Sequence, residues 1–521
     1  MRWYEVKKFL TVGAVLSTLL IPVTSSAQTR TITFEEAVKL ALENNRAIEQ
    51  RSEDREAARW YLSEIRRNSG LKFSWSSSSS RIGGRYYNYY RNQRYDLYQY
   101  SHDFLRENGI NISDYPLYQS ENYNSLTLSM PLYTGGRLEN QRKSARYALN
   151  SADLNLEDTR QQVKWQTAQA YYRALQYRDN IAIQQEAINL LNEHLRTVQI
   201  QYEVGTVAMS DVLATNVQLA NNKQNLNRAQ GNYENALAEL NNIIGLPADT
   251  DILIIDEQNY MEGYGKTEAE CLKYALEHRP DGISAMYTVK QAEASVESAK
   301  SGFRPNVSAV IQGSMTGEGA FKADHTRERW SAGIQLDWNI FDNNVTSAQI
   351  QQAKAQVRKA ESVARQQIEQ IQLEIREAYT NLKIAEKNIK VTFDAVKQAE
   401  EQYLIAQVRY EEGVDTNLTV MDAQEKLTEA RTNYFSAVYS YNTSKYQLEK
   451  AMGVPIGIDA ASYAEKIDDG IKETQALKDS AQIELKIFDA NGKVRRRSAE
   501  DIKPIRESAE NYTEPFAEDE Q

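Results

Sequence analysis

Four histidines, His102, His194, His278 and His325, are scattered through 521 residues without metal-ligand spacing and without an acidic partner. Cys271 is the single cysteine, so no intrachain disulfide can form. No Gly-rich loop closes on Lys and Ser or Thr, so no phosphate cradle for ATP is visible. These residues make no catalytic constellation, and the expectation is a protein that is not an enzyme and holds no cofactor or metal. The side chains that stand out instead lie just beyond two glycines. Asp211 follows Gly205, while Asp415, Thr419 and Asp422 follow Gly413. Asp211 falls in the first turn of its helix, where the macrodipole favours an anion. Thr419 and Asp422 are one helical turn apart and share a face. Such groups can hold hydrogen bonds and concentrate negative potential. The plainer alternative is a helix-start residue at Asp211 and a solvated surface charge at Asp422.

The elements that position these groups are read from an internal repeat. Gln201-Tyr202-Glu203-Val204-Gly205 returns as Arg409-Tyr410-Glu411-Glu412-Gly413, Val212 as Val420, and Gly245-Leu246-Pro247 as Gly453-Val454-Pro455. All these pairs are 208 residues apart, as are Leu132-Tyr133 and Ile340-Phe341. Earlier still, Glu36-Ala37-Val38-Lys39 matches Glu270-Cys271-Leu272-Lys273 at an offset of 234, so the first copy carries 26 extra residues. The chain is a tandem duplication.

Within each copy the pattern is legible. Residues 137–204 and 345–412 contain neither Gly nor Pro and are rich in Ala, Gln, Glu, Leu and Arg. That composition predicts helices about 100 Å long. Each rod ends at a glycine suited to a left-handed cap, Gly205 or Gly413, and a second helix follows over about 210–244 or 417–452. Each copy therefore forms a hairpin whose tip is the glycine segment. Just before each rod, apolar residues alternate with polar ones: Trp330, Ala332, Ile334, Leu336, Trp338 and Ile340 in the second copy, and Leu126, Leu128, Met130 and Leu132 in the first. Weaker partner strands hold Leu71, Phe73 and Trp75, then Val307, Ala309, Ile311 and Met315. About 11 alternating residues suffice to cross a bilayer as a tilted strand. Trp75, Trp330, Trp338 and Phe341 are placed where an aromatic girdle serves.

Four strands cannot close a membrane barrel, whose observed minimum is about 8. A dimer supplies 8 and a trimer 12. The competing reading is a secreted or periplasmic coiled-coil structural protein with a small soluble sheet. It accounts for the rods but not for the alternation at Trp330 through Ile340.

Composition agrees with a helix-dominated protein, since only 9 Pro and 23 Gly interrupt the chain. The net charge of −11 argues against nucleic acid. Arg2, Lys7 and Lys8, an apolar stretch at 9–21 and Ser25-Ser26-Ala27 read as a cleaved signal peptide over 1–27. No later apolar run is long enough for a membrane helix. A tyrosine-rich loop spans about 77–123, including Arg85-Tyr86-Tyr87-Asn88-Tyr89-Tyr90, and reads as an interfacial or external lid rather than a base-stacking surface.

The residues quoted from residue 30 to 456 resemble the TolC family of outer-membrane efflux and secretion channels. The resemblance rests on the tip motif, Tyr202-Glu203-Val204-Gly205 through Ser210-Asp211-Val212 and Tyr410-Glu411-Glu412-Gly413 through Thr419-Val420-Met421-Asp422-Ala423. It extends to the opening helix from Thr33 to Asn45 and the junction Gly302-Phe303-Arg304-Pro305. It implies a mainly α protein with membrane β. Long helical hairpins would form a periplasmic α-barrel, and four strands per chain would join a homotrimeric, 12-stranded outer-membrane barrel.

The implied organisation is 1–27 signal peptide and 28–247 first repeat, with strands about 71–79 and 123–133 and tip about 202–212. An equatorial linker at 248–266 follows. Next comes 267–455 as second repeat, with strands about 305–316 and 328–341 and tip about 410–422. The segment 456–521 ends in an acidic, partly disordered tail. The resemblance further implies a passive duct in outer-membrane lipid. A periplasmic adaptor would dock around Val204, Gly205, Thr206, Glu412, Gly413 and Val414, and an inner-membrane pump of the RND or ABC type would supply energy. Asp211, Tyr410, Thr419, Asp422 and Asp415 take the gate positions, with Tyr410 as hydrogen-bond partner of Asp211. Two departures matter. The first junction, Asn68-Ser69-Gly70-Leu71, lacks the family's proline. Asp415 stands where the family often has arginine, so the basic link of that gate is either missing or supplied elsewhere, with Arg409 as the candidate.

Overall fold

Each copy opens on the same local device. The Thr33 hydroxyl oxygen accepts from the Glu36 amide and the Glu36 carboxylate accepts from the Thr33 amide, closing a capping box; Thr267 and Glu270 repeat it. Two orphan amides are thereby satisfied at the start of α1 (Phe34–Asn44) and of α5 (Glu268–His278). The computed structural model describes residues 30–83, 107, 118–256, 263–318 and 327–464. The expected signal peptide, most of the tyrosine-rich loop and the acidic tail beyond 464 lie outside the described residues.

The remaining elements follow the duplication. In the first copy come α2 (Arg46–Arg67), β2 (Lys72–Gly83), β3 (Tyr118–Tyr133), the rod α3 (Arg137–Glu203) and α4 (Met209–Ile243). In the second come α6 (Pro280–Lys300), β5 (Asn306–Glu318), β6 (Arg327–Asp337), the rod α7 (Val345–Glu411) and α8 (Asn417–Met452). Both rods have 67 residues, about 100 Å at 1.5 Å per residue. They also start alike. Gly135 and Gly136 precede α3 with φ of 63° and 90°, and their repeat equivalents Asn343 and Asn344 precede α7 with φ of 53° and 62°. Asparagine is the side-chain-bearing residue that best tolerates this left-handed backbone. Among the described residues no helix is long and apolar enough to cross a membrane.

The chain divides into two units. One takes in the described parts of Met1–Asn45, with Val163–Gly263 and Lys383–Tyr446. It holds both helical tips and a two-stranded parallel sheet of β1 (Arg30–Ile32) with β4 (Ile252–Ile254). β4 lies inside the segment read as an equatorial linker at 248–266. Three residues are too few for alternation to reveal, and the pairing partner is more than 200 residues away in sequence. The Tyr171 hydroxyl ties the pair together, donating to the carbonyls of Ile32 and Ile255 at 3.1 and 2.6 Å.

The other unit takes in Arg46–Gln162, Tyr264–Leu382 and the described part of Gln447–Gln521. Its four-stranded antiparallel sheet has the order β2-β3-β5-β6. Register places Phe73 opposite Leu128, Leu128 opposite Ile311 and Ile311 opposite Ala332. Trp75, Leu126, Gly313 and Trp330 form the next rung on the same face. The opposite face is a wall of Ser74, Thr127, Gln312 and Ser331, then Ser76, Ser125, Ser314 and Arg329. A slip of one residue would exchange these faces, so register is strongly specified.

Two expected spans change. β2 and β3 run on through 77–83 and 118–122, residues assigned to the external loop, because a serine ladder pairs without any apolar signal. β6 ends at Asp337, so Trp338, Ile340 and Phe341 lie beyond the strand. There the chain must enter the left-handed pair Asn343 and Asn344, and Trp338 turns its Nε1 to the carbonyl of Phe303 at 3.1 Å. In the same unit the buried Glu157 accepts from the amides of Ile456, Gly457 and Ile458 at 2.7, 3.0 and 3.0 Å. That nest anchors the chain after α8, where the short helix α9 (Ala461–Ala464) follows.

Candidate functional site

The two tips are built by the same turn. After α3, Gly205 has φ of 81°, and the Thr206 amide reaches back to the Gln201 carbonyl at 2.9 Å. After α7, Gly413 has φ of 73°, and the Val414 amide reaches the Arg409 carbonyl at 2.8 Å. This six-to-one bond is the Schellman closure, which needs a residue free to adopt positive φ. No atom lies within 4 Å of where a Cβ would stand on either glycine. Backbone conformation therefore demands glycine here, and the space above it is open. Val204 and Val414 are 70% and 66% exposed, and Thr206 and Glu412 are exposed beside them.

Beneath the turns Val198, Val212, Ala406, Tyr410, Val420 and Ala423 pack into one core. Side chains from both hairpins contribute, so the hairpins are joined at the tip by apolar contact. They are also joined by a polar brace absent from the sequence-derived site. Asn417, the first residue of α8, is buried. Its Nδ2 donates to the carbonyl of Asp211 at 3.1 Å, which fixes the amide so that Oδ1 faces His194. His194 must then donate from Nε2, at 2.7 Å, and Thr215 adds contacts at 3.1 and 3.3 Å. The repeat hides this brace. Residues 208 away from His194, Thr215 and Asn417 are Gln402, Ala423 and Met209, so the network exists once per chain. A buried-type polar residue at the start of α8 was the available signal.

The expected bond between Tyr410 and Asp211 is not formed within the chain. Tyr410 is 4% exposed, its ring meets His194 edge-on at 5.0 Å, and its hydroxyl has no hydrogen-bond partner among the described residues. Burial, and then the charge of Asp211, push its pKa up. The ring is committed to the core, and Asn417 takes the role of linking to the first hairpin. Asp415 is also better employed than expected. Its carboxylate accepts from the Thr419 hydroxyl at 2.7 Å and the Thr416 amide at 3.0 Å, with Arg409 Nε at 3.2 Å. These bonds, Thr419 first, hold it below the usual carboxylate range. Arg409 thus closes its own turn rather than a link to another hairpin. Thr419 points back to Asp415, while Asp422 is exposed.

Burial depresses the His194 pKa from its ordinary 6.5, outweighing the Asn417 bond and the charge of Glu411. The sign follows from linkage. Above 6.5 the histidine is neutral whether folded or unfolded, and its contribution is complete. As pH falls below 6.5 the unfolded chain gains a proton that the folded one resists, so stability drops. Protection factors of the tip amides, which divide out the intrinsic pH dependence of exchange, should therefore fall as pH drops below about 6.5. His194→Gln keeps a donor to Asn417 and should flatten that profile. An unchanged profile would mean that another group sets it.

Among the described residues no cluster of His, Cys, Asp or Glu could hold a metal. Duplicated helical hairpins with strands that leave an apolar face uncovered define a class of mixed helix-and-strand proteins of the outer membrane. A family model described as outer membrane efflux protein matches residues 37–246 and 271–454, one segment in each repeat. The chain belongs to that family, which places it at the outer membrane. A relative, the probable efflux pump outer membrane protein TtgC of Pseudomonas putida, is 25% identical over 319 residues. That alignment covers 60% of this chain and 62% of the relative, less than two thirds of its length. The alkaline protease secretion protein AprF of Pseudomonas aeruginosa is 23% identical over 344 residues, covering 66% and 70%. The CmeC outer membrane channel of Campylobacter jejuni shares the fold, with a TM-score of 0.67 at 19% identity over 83% of this chain and 88% of that one.

Proposed function

We propose that three copies of this chain form a passive exit duct through the outer membrane, closed at rest by the helical tips. The observation that supports it most is the sheet. One face carries Trp75, Leu126, Ile311, Trp330 and Ile334, all of them well exposed within the chain except Ile311 and Leu126, which are about half exposed. The other face is hydroxyl and amide. Such a sheet suits lipid on one side and water on the other, and four strands need further copies to close. Twelve strands from a homotrimer meet that need.

The exposed turns at Val204, Gly205, Thr206, Glu412, Gly413 and Val414 are the surface offered to a periplasmic adaptor. An inner-membrane pump, of the RND or ABC type, would drive transport, since the sequence shows no phosphate-binding loop for ATP. The relatives' names concern efflux in one case and protease secretion in the other. A duct that leaves cargo choice to its pump fits both.

The test is to insert purified protein into planar bilayers and to measure its mass in detergent. A trimer with a small, stable resting conductance is expected; a soluble monomer would overturn the reading. Threefold symmetry makes Asp422 a ring of three carboxylates. Asp422→Ala should lower the cation-to-anion permeability ratio about threefold, the effect of losing on the order of 0.6 kcal/mol of attraction in a water-filled pore. Unchanged selectivity would remove Asp422 from the constriction.

A further inference from the structure

β2 and β6 are the two edges of the four-stranded sheet. β2 runs away from α2, and β6 runs back toward α7, so the last strand of one copy meets the first strand of the next antiparallel. We propose that this seam forms in one register, with Asp337 opposite Lys72 of the next copy and Glu328 opposite Arg81 of the next copy. The proposal rests on the trimeric barrel above and names the residues that close it.

Three independent observations select that register. The first is facing. Lys72 and Asp337 lie on the hydroxyl face, whereas Arg81 and Glu328 lie on the face of Trp75 and Trp330. Only registers that keep the two faces continuous are allowed, which removes every other one. In the proposed register Phe73 meets Leu336, Trp75 meets Ile334 and Ser74 meets Gln335.

The second is charge. Lys72 begins β2 and Asp337 ends β6, while Arg81 and Glu328 sit near the outer ends of the same strands. Both pairs are nine residues apart on their own strand, so a single register aligns them together. Moving by two residues either way breaks both. Directly opposed unlike charges stabilise a ladder, and like ones oppose it. The same register pairs β6 along its whole length, from Arg327 to Asp337.

The third is geometry. Within one copy Lys72 lies opposite Ser129, Ser129 opposite Val310 and Val310 opposite Gly333. Across the proposed seam Gly333 lies opposite Ser76 of the next copy. One circuit of four strands thus advances from Lys72 to Ser76, four residues. With strands about 4.8 Å apart and about 3.4 Å of rise per residue, that advance tilts the strands by about 35°. Membrane barrels tilt by about 35–45°. By the same reckoning an advance of two residues gives about 20°, well outside that range, and an advance of six about 47°, just beyond its upper end.

The seam is tested by paired cysteines in a Cys271→Ala background, with trimer mass measured separately before oxidation. Ser74→Cys with Gln335→Cys places sulfurs on directly opposed residues of the proposed seam, within disulfide reach. Ser74→Cys with Gly333→Cys, and Ser74→Cys with Asp337→Cys, sample the two adjacent allowed registers. The first pair should yield covalent trimers at least about tenfold more efficiently than either control, whose α-carbons are about 7–8 Å apart. Preferential linking of a control pair would overturn the register. No linking in any pair of a protein that is trimeric by mass would overturn the β6-to-β2 seam. A monomeric mass would instead overturn the trimeric duct itself. Lys72→Asp should weaken the trimer against heat in detergent, and adding Asp337→Lys should restore it. Failure of the second change to restore it would count against the pair even if the single variants assemble poorly.

Discussion

Asn417→Leu should loosen the helical tips and make the resting channel leak. Leucine keeps the branched shape of asparagine, though with more volume, so no cavity opens and the main change is the loss of the amide's hydrogen bonds. What is lost is the amide that satisfies His194 Nε2 and the Asp211 carbonyl at once. Thr215 still bonds to that carbonyl at 2.8 Å, but the His194 N–H is left buried without a partner. A stranded buried donor costs about 1–3 kcal/mol. A value near 2 kcal/mol corresponds to roughly thirtyfold faster amide exchange where the tip opens locally. The expected change is confined to the ends of α3 and α7 and the starts of α4 and α8. Met209 occupies the equivalent position in the first repeat and is exposed, so Met209→Leu should leave exchange unchanged. Equal exchange in the Asn417 variant and the parent would show that the core alone holds the tips together.

Arg279→Met should produce the largest loss of stability. Arg279 is 4% exposed and bonds to Asp281 at 2.9 and 2.5 Å, to Glu374 at 2.6 Å and to the Ala451 carbonyl at 3.3 Å. It joins the start of α6 to α7 and to the end of α8. The contact is inherited from the duplication. In the first repeat Asn45 stands at the equivalent place and donates to the carbonyl of Ile243, the equivalent of Ala451. The second repeat has added an ion cluster to that shared bond. Methionine keeps most of the stem's packing but leaves Asp281 and Glu374 without their main cation. Removing one partner of a buried pair costs about 3–5 kcal/mol.

The pH dependence of that loss has a definite sign. Burial raises the Glu374 pKa, but Arg279 outweighs it through charge and hydrogen bonding, with Gln370 and Lys450 assisting, and the net shift is downward. A depressed carboxylate contributes stability above its ordinary 4.5 and loses it as pH falls through the folded value. In the variant the stranded carboxylate gains from protonation instead. The gap between parent and variant should therefore narrow below about pH 4.5 in denaturant titrations of the detergent-solubilised protein. A gap that stayed constant with pH would assign the loss to packing and not to charge.

Much of this architecture is carried by local chemistry, and that explains why it is legible without coordinates. Helix breakers are missing from two stretches and present at their ends, so rods and turns are visible directly. Alternation at Trp330 through Leu336 belongs to a strand with one apolar face. The constant spacing of the repeat makes the two tips recognisable as equivalent turns. It also aligns Gly136 with Asn344, and the structure shows that both adopt a left-handed backbone. Strand ends were less legible. The Ser-rich extension of β2 lacks an apolar rhythm, and the rhythm beyond Asp337 continues into a segment that is no longer strand.

The amino-acid sequence alone determined the duplicated hairpin, the faces of the strands and the positions of the tips, because each depends on residues close together along the chain. Only the tertiary structure decided how the tips are tied. His194 and Asn417 are 223 residues apart and Thr215 and Asn417 are 202 apart, so no local pattern announces their contact. The repeat even points away from it, since the brace has no counterpart in the other copy. Tyr410 illustrates the same limit from the other side. Its place in the tip was visible, but packing around a buried ring settled that its hydroxyl would not reach Asp211.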